Sequence, residues 1–243
     1  MSRQPQLARQ TLLVLGGSSG IGLATARRAR EEGARVILTA RDPERVHRAG
    51  LELGASIAAF DATDFNRLAS FFDELSLPVD HVLLTGPGPN DGPLPGVDAE
   101  ATRRELDAHL VLPLQVAHRV KGRMRPGGTL LFTGCIDAGR TAGSSAFLSA
   151  LTAALSAMTE HLARELAPIR VNLIAAGFVD TPLSASLLGD ELETRRDRLR
   201  KTLPIRRVIG PADVAALAIH LMTNTALTGG TFAIDGGQRL IEG

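Results

Sequence analysis

The sequence predicts one α/β domain built on a parallel sheet, and three observations carry that prediction. Strand-length apolar runs alternate with segments of helical period along the whole chain. No Pro/Ser-rich linker, internal repeat or low-complexity tract interrupts them, and 243 residues suffice for one large core. The first unit, Thr11 to Gly33, sets a strand, a glycine-rich turn and a helix start in immediate succession.

That first unit organises the rest. Thr11 to Leu15 is long enough for a strand buried on both faces. Gly16, Gly17, Ser18, Ser19, Gly20 and Gly22 then form a turn that only small residues can make. From Ile21 the apolar beat becomes helical (Ile21, Ala24, Ala29), and Gly33 supplies the stop. Such a unit is a phosphate cradle. Missing Cβ atoms let backbone N–H groups approach a ligand, and the helix dipole favours negative charge there. The competing reading is a plain connection from strand to helix, which glycines also serve; with strand and helix both in place, nucleotide binding is preferred.

Arg35 to Thr39 reads as the second strand. In dinucleotide folds an acid at its end accepts the ribose hydroxyls, but here Thr39-Ala40-Arg41 holds no acid until Asp42. An acid would repel a 2′-phosphate, whereas Arg41 pairs with one and stacks on adenine, so NADP(H) is expected over NAD(H). A solvated surface arginine is the bland alternative. Pro43 to Gly54 is a helix, and Ser56 to Phe60 a short strand ending in Asp61-Ala62. Asp61 is placed either to bind the adenine amino group or to N-cap the helix from Phe65 to Leu75.

His81 to Thr85 is the fourth strand, followed by a Gly/Pro loop from Gly86 through Gly88 to Pro93. Glu100 to Arg123 reads as one long helix, Thr129 to Thr133 as a strand, and Ser144 to Ala167 as an Ala/Ser-faced helix. Arg170 to Ile174 is a strand, then a loop through Gly177 and Thr181. Leu183 to Lys201 is charged, helical and poorly anchored. Pro211 to Met222 is a helix with proline in its first turn, and Thr231 to Ile234 the last strand before Asp235-Gly236-Gly237. Residues 1–10 read as a flexible lead.

Composition excludes several functions. The 27 basic and 26 acidic residues nearly cancel, which leaves no nucleic-acid or membrane-surface footprint. Cys135 is the only cysteine, so no intrachain disulfide forms. Without a leader-like apolar segment or a spanning run, the sequence points to a soluble, cytoplasmic protein. It contains no tyrosine and only two lysines, Lys121 and Lys201.

With these pieces in order, the chain resembles the short-chain dehydrogenase/reductase family over nearly its whole length. The matching motifs are Gly16-x-x-x-Gly20-Ile21-Gly22, Asp61, Ile169-Arg170-Val171-Asn172, Gly177-Phe178-Val179-Asp180-Thr181 and Asp235-Gly236-Gly237. The resemblance implies a Rossmann-type, doubly wound sheet of seven parallel strands, NAD(P) at its carboxyl edge, a small-molecule carbonyl substrate and a homodimer or homotetramer. Nicotinamide would then rest on Thr181 and the Gly86–Gly88 loop. The family's proton transfer rests on Ser, Tyr and Lys with an Asn behind them. The resemblance sets Leu148 at the Tyr position, Thr152 at the Lys position, Cys135 at the Ser position and His109 at the Asn position. A chain without tyrosine cannot use the family's proton donor. Two readings stay open about evenly: an oxidoreductase in which Cys135 or His109 serves, and a silent cofactor-binding sensor or partner subunit; a third, a non-redox reaction with nucleotide kept only structurally, has no residue that specifies it. Ser144, Ser145 and Ser149 add hydroxyls near the same helix start. Ala146, Ala150, Ala153, Ala154 and Ala157 mark a helix face for close packing, against another chain or against the domain's own sheet.

Overall fold

The computed structural model describes residues 6–76, 78–86, 88, 98–136 and 146–241. The strands are β1 (Thr11–Leu15), β2 (Arg35–Ala40), β3 (Ser56–Ala59), β4 (Val79–Leu84), β5 (Met124–Cys135), β6 (Arg170–Ala176) and β7 (Thr231–Ile234). They form one sheet in the order β3-β2-β1-β4-β5-β6-β7, with every neighbouring pair parallel. The helices are α1 (Gly20–Glu31), α2 (Pro43–Leu53), α3 (Phe65–Glu74), α4 (Ala99–Leu106), α5 (Leu112–Val120), α6 (Ala146–Glu165), α7 (Pro182–Leu188), α8 (Leu192–Thr202) and α9 (Pro211–Thr223). The chain starts mid-sheet, winds outward to β3, then returns to lay β4 on the other side of β1. That reversal opens a crevice at the carboxyl ends of β1 and β4, where doubly wound sheets take their ligands.

Strand alternation feeds two cores. Leu12 and Val14 pack with Ala26, Ala29, Val46, Val214 and Ala218 on the face covered by α1, α2 and α9. Leu13 and Leu15 point the other way, into Leu68, Phe72, Val116 and Leu155 under α3, α5 and α6. Both faces are therefore dry, which explains the unbroken apolar runs of the central strands.

Four details differ from expectation. Residues 6–10 are docked: Leu7 is fully buried, its N–H donates to the Glu32 carbonyl, and the Gln10 carbonyl accepts from Arg35 N–H. The segment expected as one helix over Glu100 to Arg123 is interrupted after Leu106 and ends at Val120. β5 begins at Met124 and runs to Cys135, because Met124 pairs beside Val79 before a register shift. The stretch Leu183 to Lys201 is two helices joined by a short turn, and it is anchored: Leu199 is buried, and Arg196 pairs with Asp180 at 2.6 Å. Among the described residues no helix is long and apolar enough to cross a membrane, and no group of three metal-ligating side chains gathers.

At the amino end of the sheet His81 is buried, with Nε2 2.6 Å from Gln10 Oε1 and Nδ1 without a partner among the described residues. Burial pushes its pKa down from 6.5 to about 4. A depressed imidazole pKa opposes folding only where the unfolded chain binds the proton and the native one does not. Stability is therefore full above the unfolded value and falls as pH drops from 6.5 towards 4. The loss reaches roughly 3 kcal/mol. Urea denaturation at pH 7 and pH 4.5 should show this slope, and His81→Gln should flatten it.

Candidate functional site

The glycine turn is built by close backbone approach. Gly16 and Gly17 both donate to the Thr39 carbonyl at 2.9 Å, tying the turn to the end of β2. Gly16 sits at φ +89° and Gly20 at φ +53°. A Cβ on Gly22 would lie 2.2 Å from the Gly16 carbonyl oxygen, so only glycine lets α1 start so close to the turn. The Thr85 hydroxyl, 3.0 and 3.1 Å from the carbonyls of Leu15 and Gly16, fastens the turn to the end of β4.

The amino end of α1 is left open to a ligand. Asp42, Asp64 and Asp98 cap α2, α3 and α4, each carboxylate taking two backbone N–H groups. Ser19 at the start of α1 is extended and makes no side-chain cap, and no acid lies in the first turn. The N–H groups and positive dipole end of α1 thus face the crevice beside Ser18, Ser19, Gly20 and Ile21, which fits a pyrophosphate.

At the adenosine end, Arg41 follows directly after β2, exposed, and makes no hydrogen bond or ion pair among the described residues. Asp42 is turned away: its carboxylate accepts from the N–H groups of Glu44 and Arg45 and pairs with the Arg45 guanidinium at 2.9 Å. Asp42, the acid nearest the end of β2, is thus engaged in capping α2 and in its pair with Arg45. Asp61 follows β3 next to half-buried Ala62. It is not the N-cap of α3, a role held by Asp64; its carboxylate accepts from the Thr63 N–H at 2.9 Å and hydroxyl at 2.7 Å.

A cavity of about 240 Å³ opens beside the turn, and the residues singled out for chemistry converge on it. Its wall includes Ile21, Gly86, Gly88, His109, Cys135, Leu148, Thr152, Gly177 and Thr181. Leu148 and Thr152 are one helical turn apart on α6 and face the same space. Gly177 admits no side chain, since a Cβ there would come within 2.8 Å of both Asp235 and Gln238. Thr181 N-caps α7 in a reciprocal pair with Ser184 and lies beside Gly20. Phe178, Leu151, Leu155, Leu183 and Leu187 add apolar surface to the wall, and Thr133 and Ser184 add hydroxyls. Ser144, Ser145 and most of the loop from Gly86 to Pro93 lie outside the described residues, and Ser149 is half-buried on α6.

His109 reaches the cavity because the helix around it is not regular. Residues Asp107–Val111 form a π-helical turn in which Leu112 N–H donates to the Asp107 carbonyl. Pro113 explains it: proline has no N–H for the His109 carbonyl, and its ring collides with that carbonyl in a regular helix. The imidazole lies against Gly86, with Cε1 and Nδ1 3.7 and 3.8 Å from where a Gly86 Cβ would stand. Burial pushes its pKa down, and Glu105, whose Oε2 is 3.3 Å from Nε2, opposes the shift. That separation suits an ion pair but lacks hydrogen-bond alignment, so Nε2 has no aligned partner among the described residues.

Sequence reading missed Glu105, Pro113 and the leucines of α7. Pro113 was a visible signal inside a supposed helix. Glu105 had none beyond its spacing of four from His109.

Comparison with known proteins agrees with this geometry. The family model described as Enoyl-(Acyl carrier protein) reductase matches residues 16–239. Dehydrogenase/reductase SDR family member 4 of Pongo abelii is 30% identical over 98% of this chain and 90% of its own length. The crystal structure of BdcA in complex with NADPH superimposes with a TM-score of 0.84 at 28% identity, covering 95% of each chain. A 3-oxoacyl-[acyl-carrier protein] reductase with bound NAD from Brucella melitensis does so at 0.83 and 26%, over 97% of this chain and 93% of that one. The parallel seven-stranded sheet, the open glycine turn and these matches together make the chain a member of the short-chain dehydrogenase/reductase family of oxidoreductases.

Proposed function

We propose that the chain is an NADP(H)-dependent oxidoreductase acting on a small apolar carbonyl or enone, with an atypical proton-transfer site. The observation that carries this reading is the apolar cavity of about 240 Å³ beside the glycine turn, whose wall holds His109 and Cys135 together. Bound nicotinamide supplies or accepts hydride; the chain supplies the rest. The α1 amino end and the turn bind the pyrophosphate, with Asp61 and Ala62 at the adenine and Arg41 at the 2′-phosphate. Gly86, Gly88, Gly177 and Thr181 border the nicotinamide end, and the leucines of α6 and α7 exclude water. Leu148 cannot exchange a proton and Thr152 cannot supply a positive charge, so His109 or Cys135 meets the substrate oxygen. The decisive assay follows NADPH oxidation against ketones and enones. Turnover should fall ~10²–10⁴-fold in the His109→Ala, Cys135→Ala double variant. Ketone reduction persisting in that variant would overturn the assignment. Cofactor binding without turnover would favour a silent sensor or partner subunit, a reading that Leu148 and Thr152 on the wall support.

A charge-assisted pair of the kind proposed for Arg41 contributes ~1.5–3 kcal/mol. Arg41→Ala should weaken NADPH roughly ten- to a hundred-fold in a fluorescence titration while sparing NADH; equal losses for both would refute the NADP(H) preference.

We also propose a homodimer or homotetramer formed through the helices of Glu100 to Arg123 (α4 and α5) and of Ser144 to Ala167 (α6). Ala146, Ala150, Ala153 and Ala157 are exposed and follow one another along one side of the helix, facing away from the domain's own sheet; Ala154 is half-buried. Light scattering should report two or four chains at micromolar concentration, and Ala153→Arg should reduce that number. A single-chain mass for the unaltered protein would refute it.

A further inference from the structure

The hydroxyls on the cavity wall are already committed. Thr133 donates to the Leu84 carbonyl at 3.2 Å and Thr152 to the Ser149 carbonyl at 3.0 Å. Ser184 Oγ lies 2.9 Å from the Val179 carbonyl, and Thr181 Oγ1 is held in the capping pair with Ser184. A hydroxyl carries one proton, so Thr133, Thr152 and Ser184 have none to hand on. His109 is the only nitrogen-bearing side chain on the described wall, and Cys135 its only other ionisable group.

We infer that Glu105 and His109 act as a pair in which Glu105 holds the imidazole at Nε2 and His109 exchanges the substrate proton at Nδ1. This rests on the oxidoreductase reading above and names its proton-transfer group. Three features support it. Both side chains are largely buried, at 20% and 14% exposure, and stand 3.3 Å apart. The Nδ1 edge of the ring lies towards Gly86, on the cavity wall. Pro113 and the π-helical turn fix this placement by backbone geometry, and such turns recur at functional sites. The imperfect Nε2 contact suits a site without substrate, where catalytic hydrogen bonds run long and tighten in the complex.

In reduction, hydride from the dihydronicotinamide reaches the carbonyl carbon, the C=O π pair moves to oxygen, and oxygen takes the proton from Nδ1 of a protonated His109. The C=O becomes C–OH, and His109 is left neutral with its remaining proton on Nε2 beside the Glu105 carboxylate. Solvent then returns a proton to Nδ1. Oxidation of an alcohol runs the same steps backwards. Glu105 favours the charged imidazole and is a positioning residue; His109 is the catalytic one. Among the described residues of the elements around the ring, the ionisable groups are Glu105 of α4 and Cys135 of β5. α6 and α7 present leucines and hydroxyls, and Asp107 on the turn itself is exposed.

The test uses the full chain and two readouts. Nitrogen-15 NMR of the imidazole, assigned with His109→Gln and run without cofactor, should show His109 protonated at Nε2 in its neutral form. Glu105→Gln should lower its pKa and remove that tautomer bias. Identical pKa and tautomer in both proteins would overturn the pair, whatever the activity. In NADPH-dependent ketone reduction, kcat should fall as pH rises and His109 loses its proton, a limb set below the ordinary imidazole range by burial of the ring. That limb should move to lower pH in Glu105→Gln and partly return in Glu105→Asp, with KM for NADPH unchanged. A pH profile unmoved by Glu105→Gln would also overturn the proposal. Unaltered protein without turnover, but with the NMR signature intact, would instead count against the oxidoreductase reading while leaving the pair standing.

Discussion

The structure depends on one close backbone approach, that of the Gly16 carbonyl to Gly22 at the start of α1. The 2.2 Å that a Cβ on Gly22 would leave is far inside any van der Waals contact. Because both positions are glycine, α1 begins immediately beyond β1, with its N–H groups turned to the crevice between β1 and β4. Thr85, directly after β4, and Thr39 of β2 then bond the same turn from either side. Three strands thus present their carboxyl ends to one uncapped helix terminus, and the cavity forms beside that junction.

A second local constraint shapes the chemistry. Pro113 removes one N–H and pushes one carbonyl aside, and the helix widens for a single turn. His109 and Glu105 are brought together under the Gly86 end of the cavity. In a site whose described wall is mostly leucine, phenylalanine and committed hydroxyls, low dielectric strengthens the effect of the Glu105 charge. The same low dielectric depresses the imidazole pKa, and the carboxylate counters it. Among the described residues, the apolar wall and the Glu105–His109 contact are therefore linked features: water kept from the leucines is also kept from the pair.

The two ends of the sheet contrast. The carboxyl end leaves polar groups uncommitted at α1 and at His109. The amino end spends its polar groups on structure: His81 meets Gln10, and Asp80 accepts from Thr11 N–H at 2.7 Å and pairs with Arg125 at 2.7 Å. The polar atoms left over at the amino end, His81 Nδ1 and Thr11 Oγ1, are buried from solvent, whereas α1 opens its N–H groups to the crevice.

The sequence by itself determined the fold class, the strand order of events and the glycine turn. These follow from nearest-neighbour physics: strand-length apolar runs, small residues where the backbone must bend, and helix starts. It also determined that no tyrosine acts here, because an absence from composition needs no geometry. Only the tertiary structure decided that Asp64 rather than Asp61 caps α3, that Leu7 docks the leading segment, and that α8 is anchored through Leu199 and Arg196. The alanines of α6 equally could be assigned to its exposed side only once the helix was seated on the sheet. Caps and anchors depend on which of two adjacent residues meets a partner distant in sequence, and periodicity carries no record of that partner. Glu105 was hidden for the same reason: a glutamate on a helix reads as a solvated charge until the turn made by Pro113 draws its neighbour His109 into the cavity.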